Sequence, residues 1–140
     1  MTHFRKMTAA PARFRLTTPA PLEQEVLEQI IVLLRLEQAR RRVAWFARVN
    51  GGGMMDKTRR WLAFYRLYLP DVAMPVSKGM ADLHGMLSGG RYFALEVKRA
   101  RQTASPAQLK FLKLVRDGGG IGAVVHSAAD VQSLLFEDAT

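Results

Sequence analysis

The stretch Ala81-Asp82-Leu83-His84-Gly85-Met86-Leu87-Ser88-Gly89-Gly90-Arg91-Tyr92-Phe93-Ala94-Leu95-Glu96-Val97-Lys98 decides the fold. Two short runs of strand-forming residues, Ala81–Leu87 and Arg91–Val97, flank Ser88-Gly89-Gly90, the composition of a turn between antiparallel strands. With Gly89 at the centre of the turn, Leu83 faces Leu95, Ala81 faces Val97 and Gly85 faces Phe93. These form one apolar face. On the other face Asp82 stands opposite Glu96, Met80 opposite Lys98, and His84 opposite Ala94. A slip of one residue would mix the two faces, whereas a slip of two would preserve them.

Directly opposed residues on antiparallel strands have Cβ atoms about 4.5–5.5 Å apart. Two carboxylates held that closely repel each other unless a positive charge lies between them. A divalent cation such as magnesium or manganese removes the repulsion, because hard cations take oxygen ligands and retain several waters. Lys98 lies two residues beyond Glu96 and therefore on the same face. Two carboxylates, a metal and a lysine suffice for phosphodiester hydrolysis. The metal polarises the phosphoryl oxygen and acidifies a bound water, and the lysine stabilises developing charge. The plainer alternative is a solvent-facing strand edge, where Glu-x-Lys arises by chance. Asp82 opposite, the basic chain and the helix that follows weigh against it.

Outward from the hairpin, Ser105-Pro106 is a helix start, with serine as N-cap and proline at the first helical position. That helix runs to Gly118-Gly119-Gly120, where glycine takes the left-handed cap conformation. Ile121–His126 reads as a buried strand, and Ser127-Ala128-Ala129-Asp130 as the start of a short last helix. Upstream, a helix beginning near Pro21 and ending near Arg42 places Leu22, Val26, Ile30 and Leu33 on one stripe, joined by Leu27, Ile31 and Leu34. Val43–Val49 is β-prone, and Asn50-Gly51-Gly52-Gly53 breaks it. Residues 54–69, with Trp61, Phe64, Tyr65 and Tyr68, read as an amphipathic helix closed by Pro70, and Val72–Lys78 as loop. The expected fold is α/β, a mixed four-stranded sheet flanked by helices in the order α-β-[α]-β-β-α-β-α.

A chain of 140 residues suits one domain with a true core. It has no cysteine, which excludes disulfides and thiolate metal sites and suits a reducing cytoplasm. No apolar run reaches the roughly 20 residues of a membrane-spanning helix. The formal charge is +9, and it is uneven: residues 1–70 carry 13 Lys/Arg against 5 Asp/Glu, whereas residues 71–140 carry 8 against 7. A polyanion, above all nucleic acid, is the expected partner. Residues 1–20 contain Arg5, Lys6, Arg13 and Arg15 with no acid, and read as a flexible basic arm before a domain over 21–140. The glycine runs lack the lysine and spacing of a phosphate-binding loop, so no nucleotide cofactor is expected.

The segment Lys78–Gly85, continued by Gly90-Arg91-Tyr92-Phe93-Ala94-Leu95-Glu96-Val97-Lys98-Arg99, resembles the VRR-NUC family, a branch of the PD-(D/E)XK nucleases. The resemblance continues through Ser105-Pro106-Ala107-Gln108 and the strand at Gly122–His126. Upstream it takes in Arg48-Val49-Asn50-Gly51-Gly52 and Glu25-x-x-x-Gln29, and spans roughly residues 22–135. It implies a restriction-endonuclease-like core and a metal bound by Asp82, Glu96 and the Val97 carbonyl. It further implies Lys98 beside the attacking water, Glu25 reaching the metal through a water, and Gln108 at the start of the helix beside the site. It also implies homodimers that cut branched DNA in a bacterial or phage setting. Two departures stand out. Ala81 occupies the place where many members have proline, and the stretch 54–76 is longer than their linker.

Helical spacing alone leaves Glu23 and Glu28 as alternatives to Glu25. Arg99 and Arg101, with Lys78 and Arg48, are expected to contact the nucleic acid, and Lys110 and Lys113 extend that surface. Asn50 either joins them near the site or merely makes the turn. Arg40-Arg41-Arg42 either grips phosphates or is a solvated helix end. His84 is either a contact to DNA or to a metal-bound water, or a rim residue. The aromatic group Trp61, Phe64, Tyr65 and Tyr68 either stacks on bases or forms core. Two other functions compete with the DNA endonuclease: a basic module that binds nucleic acid without cutting it, and an RNase using the same groups.

Overall fold

The structure is a computed structural model and describes residues 21–49, 53–63, 66–70 and 72–137. The expected basic arm over 1–20, and Asn50, Phe64 and Tyr65, lie outside these residues. Helix α1 spans Glu23–Ala39, strand β1 Val43–Arg48, β2 Gly53–Met55, β3 Trp61–Ala63, β4 Arg66–Leu69 and β5 Val72–Pro75. The one-turn helix α2 (Val76–Gly79) leads into β6 (Leu83–Leu87) and β7 (Tyr92–Val97). Helix α3 (Pro106–Asp117), β8 (Ile121–Val125) and α4 (Ala128–Leu135) complete the chain. Four strands form one mixed sheet in the order β1-β6-β7-β8. The first two pairings are antiparallel and β7–β8 is parallel, with α3 as the crossover.

The hairpin register is the expected one from Leu83 on: Leu83 pairs with Leu95, His84 with Ala94 and Gly85 with Phe93. The expected pairs Ala81–Val97, Asp82–Glu96 and Met80–Lys98 are not part of the ladder, because the chain bends at Asp82, and Ala81 packs on the α3 side instead of with Leu83. Gly89 and Gly90 take φ of 104° and 97° in the turn, a region L side chains rarely adopt. Odd positions of β7 face one core. There Phe93, Leu95 and Val97 pack with Val26, Leu27, Ile30 and Leu34 of α1, Leu83, Val125 and Val131 of α4. Even positions face α3, where Ala94 packs with Ala81, Phe111, Leu112 and Leu69 of β4. Glu96 has the same parity as Ala94 and therefore faces the α3 side.

Helix α1 stops earlier than expected. Arg40 caps it, and Arg41 turns the chain with φ of 61°. Helix α3 begins as expected: the Ser105 hydroxyl accepts from Gln108 N–H, and the Gln108 side chain accepts from Ser105 N–H at 2.8 Å. It closes over Gly118 at φ −80°, and the positive φ falls one residue later, at Gly119.

The helix expected over 54–69 is absent. The segment forms two small antiparallel hairpins, β2–β3 and β4–β5. Asp56 supplies the reason. Its carboxylate accepts from the N–H groups of Thr58 and Arg60, both at 2.8 Å, and from the Thr58 hydroxyl at 2.7 Å. Such local bonds offer the backbone an alternative to a helix. Pro70 ends a strand, not a helix, and Val72–Lys78 is β5 plus α2 instead of loop. Tyr68 is 79% exposed, so it forms no core, while Leu67 and Leu69 of the same strand pack toward α3. Among the described residues no helix is long and apolar enough to cross a membrane.

Gly85 marks the tightest approach in the sheet. A Cβ there would lie 2.5 Å from the Trp45 carbonyl oxygen and overlap the Phe93 ring. Overpacking of this kind costs about 1–3 kcal/mol. Gly85→Ala is expected to lower the urea midpoint without changing the denaturant slope; an unchanged midpoint would contradict this packing.

Candidate active site

The end of the sheet where β7 finishes and β6 begins gathers the ionisable groups. The regular β6–β7 pairing stops at Leu83–Leu95, and the chain bends at Asp82. The Asp82 main-chain carbonyl accepts from Val49 N–H at 2.8 Å, which fixes it to the end of β1. Its Oδ2 accepts from Val97 N–H at 2.8 Å, which fixes it to β7. The residue is thus held from two strands, by its main chain from β1 and by its carboxylate from β7. Amide and carbonyl of one residue in an extended strand point the same way, so the Val97 carbonyl is turned toward this edge as well.

Glu96 is 1% exposed. Its Oε1 accepts from Lys98 Nζ at 3.0 Å and from Gln108 Nε2 at 2.7 Å. Its Oε2 is buried and has no hydrogen-bond partner among the described residues. Burial, and then the nearby Asp82 charge, push the Glu96 carboxyl up to about 7 against the pull of Lys98. Lys98 is half-buried, and burial alone would lower its ammonium pKa. The Glu96 carboxylate outweighs that and raises it, with further help from Glu23 and Asp82. Lys98 therefore remains a cation at neutral pH. Its backbone N–H donates to the Val125 carbonyl at 3.0 Å, so β8 fixes where the side chain starts.

The donor set fits a hard divalent cation. It contains two carboxylates, one of them with an orphaned buried oxygen, and no nitrogen or sulfur ligand. No cluster of three or more acidic, histidine or cysteine side chains with metal-binding geometry occurs among the described residues. A cation here would take two protein carboxylates and complete its shell with water, as magnesium commonly does.

The other expected residues are distributed unevenly. Gln108 is in the site. Glu25 is exposed, and its carboxylate accepts from Leu22 N–H at 3.0 Å as a cap of α1. The acid of α1 whose charge reaches Lys98 is Glu23. Lys78, on α2, lines a groove with Ser105, Pro106, Ala107 and Gln108 beside the site. Arg48 lies at the same end of the sheet, opposite Leu83, with its guanidinium 3.5 Å from Gln24 Oε1. Arg99 and Arg101 follow β7 directly. The His126 ring donates from Nδ1 to the Arg99 carbonyl at 2.9 Å and so holds this turn, in which Arg101 has φ of 67°. Lys113 is paired within α3 to Asp117 at 2.7 Å.

Arg40–Arg42 stand at the opposite end of the sheet, since Val43 pairs with Leu87. Arg40 and Arg42 pair with Glu37, and the Arg42 guanidinium lies 5.2 Å from the centre of the Phe136 ring. The hydrogen bond from Arg42 holds the Glu37 carboxyl below the usual range despite burial. Arg42 thereby links Glu37 of α1 to Phe136 near the C-terminal end of the described residues. His84, expected at the surface, is 4% exposed and bonded to Tyr92 and to the Ala81 carbonyl. Both residues have the parity of the site face and sit diagonally across the hairpin, a signal that the register already contained.

No family model, no curated protein and no solved structure matches this chain.

The raised Glu96 carboxyl sets a pH dependence. In the metal-free protein the folded state binds this proton up to about pH 7, whereas the unfolded chain releases it near the ordinary glutamate value of 4.5. Between those values the folded state holds more protons, so stability falls as pH rises. The Glu96 contribution is fully present below about pH 4.5 and lost above about pH 7. Urea titrations at several pH values are expected to show this decline in the native protein and not in Glu96→Gln; parallel curves would rule it out.

Proposed function

We propose that this protein is a metal-dependent nuclease that hydrolyses phosphodiester bonds in DNA, on a restriction-endonuclease-like core of the VRR-NUC type. The observation that supports this best is Glu96. It is a buried carboxylate beside a second acid, with one oxygen held by Lys98 and Gln108 and the other left without a protein partner. Leaving a buried carboxylate oxygen unsatisfied is costly, and a purely binding surface gains nothing from opposed acids facing a polyanion.

In this reading Asp82, Glu96 and the Val97 carbonyl hold magnesium or manganese. When bound, the ion polarises the phosphoryl group and acidifies a water. Asp82 is presented rigidly, because Val97 N–H occupies Oδ2. Gln108 and Lys98 orient Glu96 by occupying Oε1, which would leave Oε2 as the oxygen available to an ion. Lys98 stays protonated and so acts by stabilising negative charge on the phosphate and orienting the attacking water, not by removing a proton. Glu23, in preference to Glu25, is the acid of α1 assigned to the site. Arg48, Lys78, Arg99 and Arg101 hold the backbone phosphates on either side. Branched DNA and a homodimer, which pairs two sites across two strands, complete the proposal.

The test is cleavage of labelled duplex, single-stranded, flap and four-way-junction DNA, with RNA counterparts, in magnesium, manganese or chelator. The native protein is expected to cut only with metal. Glu96→Gln should lose at least about 100-fold in rate, the scale of removing one group that stabilises transition-state charge. Binding without cleavage under every metal would sink the enzyme, and cleavage confined to RNA would change the substrate.

A further inference from the structure

Hydrogen-bonded pairs in an antiparallel ladder recur at every second residue. Leu87 N–H donates to the Arg91 carbonyl at 2.9 Å, which makes Gly85–Phe93, Leu83–Leu95 and then Ala81–Val97 the positions that should exchange backbone bonds. The last pair does not. Val97 N–H donates to Asp82 Oδ2, and the Ala81 carbonyl accepts from His84 Nε2 at 3.0 Å. A carbonyl only accepts, so Nε2 carries the proton, and Nδ1 accepts from the Tyr92 hydroxyl. The imidazole is clamped between the rings of Tyr92 and Phe111, at centroid distances of 5.7 and 5.6 Å. Ala81 is itself 1% exposed, so its carbonyl has no water to turn to.

We propose that His84 is a positioning residue: by holding the Ala81 carbonyl, it keeps that group off Val97 N–H and leaves the amide to fix the Asp82 carboxylate beside Glu96. Without the imidazole, the donor that a continued ladder would bring to the buried carbonyl is Val97 N–H, its regular partner. Recapture of that amide releases Oδ2, and Asp82 loses the bond that aims it. Burial also lowers the histidine pKa, which suits a neutral ring that donates from one nitrogen and accepts at the other. The consequence for activity rests on the nuclease reading above; the hydrogen-bond exchange does not.

The experiment is NMR on the isotope-labelled, metal-free 140-residue chain, reading couplings transmitted across hydrogen bonds. The native protein is expected to show coupling from Val97 nitrogen to the Asp82 carboxyl carbon, and from His84 Nε2 to the Ala81 carbonyl carbon. Absence of either overturns the proposal whether or not any variant folds. In His84→Leu the Val97 coupling should move to the Ala81 carbonyl carbon. Affinity for Mn2+ alone, followed by electron paramagnetic resonance, should weaken by about 10–100-fold, the usual effect of losing a group that orients a metal ligand. His84→Gln keeps an N–H donor at a similar reach and should restore both. Val97 still coupled to Asp82 in His84→Leu, or a glutamine variant no better than the leucine one, would overturn it. A native protein that cuts no nucleic acid would remove the nuclease reading alone, since the couplings still decide the role of His84.

Discussion

A carboxylate enclosed by protein must find partners, and the arrangement around Glu96 follows from that requirement. Taking a charge out of water costs several kcal/mol even after relaxation. The second acid at Asp82 adds to the cost. One oxygen is answered from two directions: Lys98 is delivered by the same strand two residues on, and Gln108 by the first turn of α3. Gln108 reaches Glu96 only because Ser105 starts the helix where it does. The same glutamine also caps its own helix through Ser105 N–H. Helix start and site are therefore one network, and a change in either disturbs both.

The hairpin was legible because three kinds of information agree there. Alternation of apolar residues and the parity of the acids exclude a one-residue slip, and the turn glycines set the centre. The starts of α3 and α4 were equally plain, since a serine cap has a short-range mechanism. The segment 54–76 was not legible. Its aromatic residues recur at a spacing that serves a helix or a twisted hairpin, and the deciding group, Asp56, acts through bonds to its own backbone. Within the candidate site, Asp82, Glu96 and Lys98 come together as the hairpin spacing implied, and Gln108 joins them where the resemblance placed it. Glu25 does not join them, because residues two apart on a helix point to different sides, and a carboxylate in the first turn also serves as a cap. The capture of the Ala81 carbonyl by His84 required knowing where the ladder breaks.

The long insertion has a place in this arrangement. Leu67 and Leu69 of β4 pack with Ala81, Ala94, Phe111 and Leu112, on the layer between the sheet and α3. That layer carries Glu96 and His84. Leu67 and Leu69 line a groove there with Gly90, Tyr92, Phe111 and Gly119. The insertion therefore covers the part of this layer nearer the hairpin turn, while Gln108 covers Glu96 at the other end.

The two ends of the sheet are also electrically unlike. At one end Glu37 compensates Arg40 and Arg42. At the other, Arg48, Lys78, Arg99 and Arg101 have no ion-pair partner among the described residues. One buried acid thus serves two arginines at the first end. At the second, the acids Glu96, Asp82 and Glu23 gather around a single lysine, Lys98. The two ends of one sheet solve the pairing of charge in opposite proportions.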